Sequence, residues 1–214
     1  MQTPLCRINQ KGFTVLELMV GILIFTLGFL GAYLLVNSAN NTAIRSKDEI
    51  IAANIMREQI ELLKNLRDTN WIQFRSWDSI DLAKPLTEID TVLQPNTFYT
   101  IGNNFSLNKK IYLKKLINFS NNKEAIVSEF QKTNSSIRLC IDTLGRYTYN
   151  CTQTDQKTNY ASFLQIEPLV TKNTLTNTLI SVEKSYKVTV FFASLNKGYY
   201  LTSMSTIITD WKTQ

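Results

Sequence analysis

The longest apolar run of the chain extends from Phe13 to Val36 and contains one formally charged residue, Glu17. As a helix, these 24 residues would be about 36 Å long, which is enough to cross the hydrocarbon core of a membrane with some tilt. No other stretch of the sequence approaches this length. The pattern therefore predicts one membrane-spanning helix near the N-terminus.

Beyond residue 36 the apolar positions continue at helical spacing but on one side only. Ile44, Ile51, Ile55, Leu62 and Leu66 are separated by 7, 4, 7 and 4 residues, which places them on one face of a helix. Charged residues were assigned to the opposite face: Arg45, Asp48, Arg57, Glu61 and Lys64. The pattern predicts that the helix continues to about Asp68 and that its amphipathic part lies on another element.

The composition of much of the remaining chain favours a β-sheet. Thr69 to Gly102, with Pro85 and Pro95, is interpreted as a connecting region with room for one short helix. Strands are expected where β-branched and aromatic residues cluster: 111–113, 137–142, 147–151, 161–170, 186–195 and 199–209. Asn118 to Asn134 is expected to be a loop or a short helix, and Asn196-Lys197-Gly198 a hairpin turn. The expected fold class is α+β, with one long N-terminal helix packed on a C-terminal antiparallel sheet.

Charge and composition fix the orientation and exclude some chemistry. The first twelve residues contain Arg7 and Lys11 and no acid, so this end should stay in the cytoplasm while the large C-terminal part crosses the membrane. The chain has 214 residues and no histidine, which excludes histidine-based catalysis and histidine metal sites. No nucleophile–base pair, phosphate loop or carboxylate dyad stands out, so no catalytic residue, metal site or cofactor is predicted.

Cys140 and Cys151 are predicted to form a disulfide. They bracket ten residues with Gly145 near the middle, a composition that favours a β-hairpin with the two cysteines opposite each other. Disulfides persist outside the cytoplasm, where this part of the chain is expected to lie. Free buried thiols are the main alternative, and a metal site would need carboxylate ligands in addition.

The segment Lys11-Gly12-Phe13-Thr14-Val15-Leu16-Glu17-Leu18 resembles the processing site of type IV prepilins. The resemblance implies that prepilin peptidase cleaves after Gly12, removes the leader 1–12 and methylates the new N-terminal amine of Phe13. It also implies that Glu17, the fifth residue after the cut, neutralises the amine of a neighbouring subunit and sets its register. The implied domains are the leader 1–12, a transmembrane and filament-core helix 13–36, an amphipathic continuation 37–68 and a globular domain 69–214.

The same resemblance implies a structural role and no enzymatic activity. The protein would be a minor pilin or a type II secretion pseudopilin, held in the inner membrane with its C-terminal domain outside the cytoplasm and then assembled into a filament. Its partners would be prepilin peptidase, other pilin or pseudopilin subunits, the inner-membrane assembly platform and membrane lipid. Pilins commonly carry a proline about twenty residues into the mature chain, whereas this sequence has none between Pro4 and Pro85. Gly28 and Gly31 could soften the helix instead, or could be ordinary bilayer glycines.

Several plainer interpretations remain open at this stage. The apolar run could be an ordinary signal peptide or the uncleaved anchor of a single-span domain, with Glu17 reaching toward lipid headgroups. Trp71 is expected to be a core residue at the end of the helix. A DNA-uptake pilin would use Lys109, Lys110, Lys114 and Lys115 near aromatic residues to bind nucleic acid or an anionic glycan, although a solvated strand face is the favoured explanation of these lysines.

Overall fold

The computed structural model describes residues 14–80, 92–104, 110–149, 151–172, 178–196 and 198–210. The chain divides into two compact units, Met1–Asp48 and Glu49–Gln214, which we call the apolar unit and the sheet unit. In the apolar unit the described residues belong almost entirely to the first helix. The leader, Gly12 and Phe13 lie outside the described residues.

One helix, α1, runs from Val15 to Ile72. Within the sheet unit one row of its buried positions is spaced alternately four and three residues apart: Ala52, Met56, Gln59, Leu63, Leu66 and Asn70. This spacing keeps one face of a helix turned toward a partner. The helix ends after Ile72, where Phe74 takes a left-handed conformation with φ 57°. Arg75 N donates to Asn70 O at 2.9 Å and Phe74 N donates to Trp71 O at 3.2 Å, so the last carbonyls of the helix are satisfied.

In the described part of the chain the sheet has seven strands, and every pairing between them is antiparallel. In chain order the strands are β1 Thr97–Asn104, β2 Lys110–Leu116, β3 Arg138–Ile141, β4 Tyr147–Thr148, β5 Gln156–Lys172, β6 Leu179–Ser194 and β7 Tyr200–Thr209. The spatial order β2-β1-β5-β3-β4 is extended on the other side of β5 by β6 and then β7. Strand β5 therefore organises the sheet, because it pairs with β1, β3 and β6.

The sheet separates two cores. Leu164 and Ile166 of β5 pack in the larger core with the buried stripe of α1, whereas Ala161 and Phe163 belong to a smaller core on the other face. The alternation follows from the strand, since successive side chains point to opposite faces. The smaller core is closed by the short helix α2, Lys123–Gln131, through Ile126 and Phe130. These observations confirm the predicted α+β class.

Helix α2 forms within the segment that was expected to be a loop or a short helix. Asn122 caps it, with its Oδ1 accepting a hydrogen bond from Ala125 N at 2.9 Å. Asparagine is a favoured residue at this position because its side chain satisfies an amide that has no partner inside the helix.

The predicted connecting region is wrong at its C-terminal end, because β1 occupies Thr97–Asn104. Pro95 and Gly102 indicated a loop, but Pro95 lies just outside the strand. Gly102 is required inside it: a Cβ there would stand 2.6 Å from Tyr112 Oη and 2.8 Å from Tyr112 Cζ. Because Gly102 has no side chain, the ring of Tyr112 on the neighbouring strand can pack directly against its backbone.

The predicted amphipathic stripe is confirmed at Ile55 and Leu66, which are buried in the larger core, and is displaced around the helix elsewhere. Ile51 and Leu62 are only partly buried, at the edge of the core, while the centre of the stripe is the row from Ala52 to Asn70. Asp48 had been assigned to the charged face but is 7% exposed. It precedes Leu66 by 18 residues, which is five whole turns at 100° per residue, so the two share a side of the helix. The error arose because buried Gln59 and Asn70 were not counted as members of the stripe.

Candidate functional site: the N-terminal helix and its first turn

Thr14 starts α1 as its N-cap. Its carbonyl oxygen accepts hydrogen bonds from Glu17 N at 3.0 Å and Leu18 N at 3.2 Å, and its Oγ1 lies 3.4 Å from Glu17 N. Thr14 and Glu17 are three residues apart, the spacing of a capping box. The sequence reasoning missed this role of Thr14, although the Thr-x-x-Glu pattern was visible in the sequence.

Glu17 lies in the first turn of α1 and is exposed. A carboxylate at this place interacts favourably with the partial positive charge at the start of a helix. The residues on either side of it are large and apolar, and Leu16 and Leu18 are 72% and 58% exposed. Glu17 is therefore an isolated anionic group on an apolar surface.

The surface that follows Glu17 is apolar on all sides. Large hydrophobic side chains between Val15 and Val36 are 49% to 77% exposed. By length and composition α1 could cross a membrane, and none of its most apolar 18-residue window is buried inside the structure. Within the described part of the chain nothing covers this surface. A helix that is hydrophobic all round is typical of a large core or of a membrane span, so this surface fits a single-pass membrane anchor.

Three glycines interrupt this surface. At 100° per residue Gly21, Gly28 and Gly31 fall on one side of the helix, and a Cβ built at any of them meets nothing within 4 Å. The helix itself therefore does not require glycine at these positions. Small residues on a lipid-facing helix permit close approach of a second helix.

Residues 7–33 match the prokaryotic N-terminal methylation motif, the signature of type IV pilins and pseudopilins. The chain carries a type IV pilin-like N-terminus. The match covers Gly12, Phe13 and Glu17 and ends inside the exposed apolar part of α1. No curated protein and no solved structure gives a significant match to the chain.

The site residues predicted from the sequence fall into two groups, one inside and one outside the described residues. Glu17 lies in the described first turn of α1, while Gly12 and Phe13, the predicted cleavage and methylation positions, lie outside the described residues. The roles of all three residues stay predictions.

In the sheet unit, a disulfide joins Cys140 and Cys151, with a Cα–Cα distance of 5.6 Å and a sequence separation of 11. The disulfide is as predicted, but the two cysteines do not lie opposite each other in the β-hairpin, as had been expected. Cys140 is paired in register with Thr148 of β4 and with Lys157 of β5, and Cys151 lies beyond the end of β4. The tight turn of this hairpin is at Gly145, with φ 78°.

A buried polar network connects α1 to the sheet and was missed by the sequence reasoning. Gln59 Nε2 donates to Tyr149 Oη at 2.5 Å and to Ser162 Oγ at 2.8 Å, and Ser162 Oγ donates to Phe191 O at 2.8 Å. Burial raises the pKa of Tyr149 well above its usual range. A glutamine in the middle of an apolar stripe was the sequence signal, because a buried polar residue needs a partner across the interface.

A cavity of about 20 Å³ adjoins this network, close to the volume that holds one water molecule. Gln59 and Tyr112 line it, and Gln59 Oε1 and Tyr112 Oη have no hydrogen-bond partner in the described part of the chain. Burial raises the pKa of Tyr112 to about 12.

The predicted core role of Trp71 is confirmed. The side chain is 7% exposed and its Nε1 donates to Asp210 Oδ1 at 3.2 Å, which ties the end of α1 to the end of β7. The guanidinium of Arg67 lies 4.8 Å from the Trp71 ring centre.

Of the four lysines singled out in the sequence, the two with described side chains, Lys114 and Lys115, do not form one patch. Lys114 and Lys115 are neighbours on β2, so their side chains leave opposite faces of the strand. Lys114 Nζ donates to Ser136 Oγ at 3.1 Å, and Lys115 Nζ to Gln94 Oε1. Lys109 lies outside the described residues. Among the described residues, no group of three or more Asp, Glu or Cys side chains is arranged to hold a metal ion.

Proposed function

We propose that this protein is a structural subunit of a type IV pilus or a type II secretion filament, either a minor pilin or a pseudopilin. The observation that supports it is the overlap, within residues 7–33, of the N-terminal methylation motif with an exposed apolar helix. The motif by itself supports the broader statement that the protein is pilin-like. The narrower role, that of a minor pilin or pseudopilin, rests on the proposal that the exposed apolar helix packs against other subunits in a filament.

Processing is the first step of this proposal. Prepilin peptidase cuts after Gly12 on the cytoplasmic side, removes the leader 1–12 and methylates the amine of Phe13. Until assembly, the helix 13–36 holds the subunit in the inner membrane as a single span. Arg7 and Lys11 keep the leader in the cytoplasm, and the sheet unit lies outside it, where the Cys140–Cys151 disulfide persists.

Assembly is the second step. The inner-membrane assembly platform extracts the processed subunit, and helix packing between subunits replaces lipid around residues 13–36. Glu17 then neutralises the amine of Phe13 in a neighbouring subunit, because an isolated carboxylate in apolar surroundings is costly until a cation pairs with it. This pairing fixes the register between subunits. The continuation 37–68 carries the globular domain 69–214 on the outside of the filament.

The N-terminus of the native protein tests the first step. Intact-mass analysis of membrane extracts should find a chain that starts at Phe13 and carries one methyl group. Gly12→Val should leave the leader attached, because the branched side chain hinders the approach of the protease. Gly21→Val is the matched control, since a side chain at Gly21 meets nothing within 4 Å. Finding Met1 to Gly12 on the native protein would instead favour an uncleaved single-span anchor.

Glu17→Gln tests the second step. The variant should be cleaved and methylated normally but should enter sheared filaments poorly, because the amine of the neighbouring subunit loses its partner. Glu49→Gln on the exposed surface of the same helix is the control. Equal incorporation of both variants into filaments would contradict a register role for Glu17.

A further inference from the structure

The sheet unit contains a polar groove beside the disulfide. The groove has a volume of about 690 Å³, within the range of 300–1,000 Å³ typical of ligand sites. It is lined by Lys114 of β2, Arg138 of β3 and Lys157 of β5, together with residues 133–135, 149, 151–153 and 155. All of these elements belong to the sheet unit.

The groove is cationic. Lys114, Arg138 and Lys157 contribute three positive charges, and Asp155 contributes one negative charge, which leaves a net charge of +2 on the walls. The Asp155 carboxylate is already used, since its Oδ2 accepts a hydrogen bond from Thr152 N at 2.7 Å. The ammonium group of Lys157 has no hydrogen bond or ion pair to the residues that the structure describes.

Arg138 is held in place before any ligand arrives. Its Nη2 donates to Phe130 O at 2.5 Å, and its guanidinium lies 4.1 Å from the centre of the Phe130 ring. A cation whose side chain is already ordered loses less conformational entropy when an anion binds.

The remaining walls carry hydroxyl and amide groups: Thr133, Asn134, Ser135, Thr152 and Gln153. Among the described residues that line the groove, Tyr149 is the one aromatic side chain, and its hydroxyl is engaged with Gln59. Single-stranded nucleic acid is typically bound by stacking several bases on aromatic rings, and the described lining contains one such ring, that of Tyr149. The described lining has no aliphatic side chain, so it does not form the apolar pocket that anchors many peptides. An acidic peptide would also pair with the cations, so tetraglutamate is the comparison that separates the two ligand classes. Hydroxyl and amide groups interspersed with cations suit a sugar chain that carries carboxylates.

We propose that this groove binds acidic carbohydrate, a chain of sugars that bear carboxylate groups. The carboxylates pair with Lys157, Lys114 and Arg138, and the sugar hydroxyls bond to the amide and hydroxyl side chains. This inference does not depend on filament assembly, because every wall of the groove lies in the sheet unit. The full chain in nonionic detergent micelles can therefore test it separately from processing and polymerisation.

Isothermal titration with tetragalacturonate is the direct test. We expect binding that weakens steeply between 50 mM and 500 mM salt, since the site works through charge. Lys157→Gln should weaken binding about fivefold, the order expected for one exposed charge contact, and the double variant with Lys114→Gln should weaken it further. Both lysines are exposed, so these changes leave the fold intact.

Lys115→Gln is the matched control, because it removes the same charge from the same strand on the opposite face. It should leave the affinity for tetragalacturonate unchanged. Three further ligands test the ligand class: neutral maltotetraose, tetraglutamate and a thymidine pentanucleotide, all of which should bind more weakly. The proposal is overturned by an absence of tetragalacturonate binding, by an equal loss in Lys115→Gln, or by tighter binding of any of these three ligands.

Discussion

The two halves of α1 are made of similar side chains and lie in opposite surroundings. Leu27 in the first half is 64% exposed, whereas Leu63 in the second half is 2% exposed. In the second half the apolar residues form one stripe, and the sheet of the same chain covers it. In the first half they surround the helix completely, and the described part of the chain supplies no cover. The comparison shows that one half of the helix serves the fold and the other half is available to lipid or to other subunits.

The largest expected effect comes from placing the same substitution in both halves. Leu63→Ala should lower the free energy of unfolding of the sheet unit by about 2–5 kcal/mol, because it leaves a cavity in the core. Leu27→Ala should leave that free energy unchanged. Urea denaturation of both variants in micelles, followed by tryptophan fluorescence, measures the difference. Similar losses in both variants would mean that the first half is also part of the folded core.

Removing the disulfide is expected to have the next largest effect. Cys140→Ala combined with Cys151→Ser should lower the free energy of unfolding by about 3 kcal/mol, because the bond constrains the unfolded chain between two residues with a sequence separation of 11. Residues 15–36 should keep their helicity, since the bond lies in the sheet unit. Thermal unfolding in micelles, followed by circular dichroism, distinguishes the strands from the helix. In the variant the strand signal should be lost at a lower temperature than in the native protein, and the helix signal should persist.

The hydrogen bonds between Gln59 of α1 and the sheet are expected to contribute less to the free energy of unfolding than the disulfide does. Gln59→Ala removes two hydrogen bonds and leaves Tyr149 Oη without its donor, which should cost about 1–3 kcal/mol. Asn54→Ala on the exposed side of the same helix is the control and should be nearly neutral. An equal loss from both substitutions would show that the network does not set the effect, since alanine is a better helix former than either residue.

The smallest effect is a dependence on alkaline pH. The folded protein holds the pKa of Tyr112 at about 12, above the ordinary value of 10.0 for tyrosine, because burial favours the neutral phenol. The unfolded chain therefore loses this proton first as the pH rises. The stabilisation is complete below pH 10 and is lost as the pH approaches 12. Urea midpoints should fall across this window, and Tyr112→Phe should make the fall shallower. An unchanged slope in Tyr112→Phe would mean that other groups cause it.

Periodicity alone predicted most of the architecture. The switch from an all-round apolar helix to a one-sided one, the later strands and the disulfide follow from spacing over a few residues. Strand β1 was missed because Pro95 and Gly102 resemble loop residues in isolation. The need for Gly102 appears only when Tyr112 of the next strand crosses it. That contact is tertiary, and local propensity does not contain it.

The candidate sites also divide into features that are visible in the local sequence and features that depend on tertiary contacts. Glu17 was predictable, because a lone charge in an apolar run is visible in the sequence itself. The link from Gln59 to Ser162 was not, since 103 residues separate its two ends. The polar groove was equally invisible, because Lys114, Arg138 and Lys157 come from three different strands. A single sequence does not reveal which distant strands become neighbours.

The order of the strands has a consequence for the timing of synthesis. Leu63 and Ile208 pack in the same core, although 145 residues separate them along the chain (208 − 63). At about 5–20 residues per second, the ribosome makes Ile208 about 7–29 s after Leu63. During that interval the stripe of α1 lacks its last covering strand. The sheet unit therefore completes its core only after Ile208 has been made.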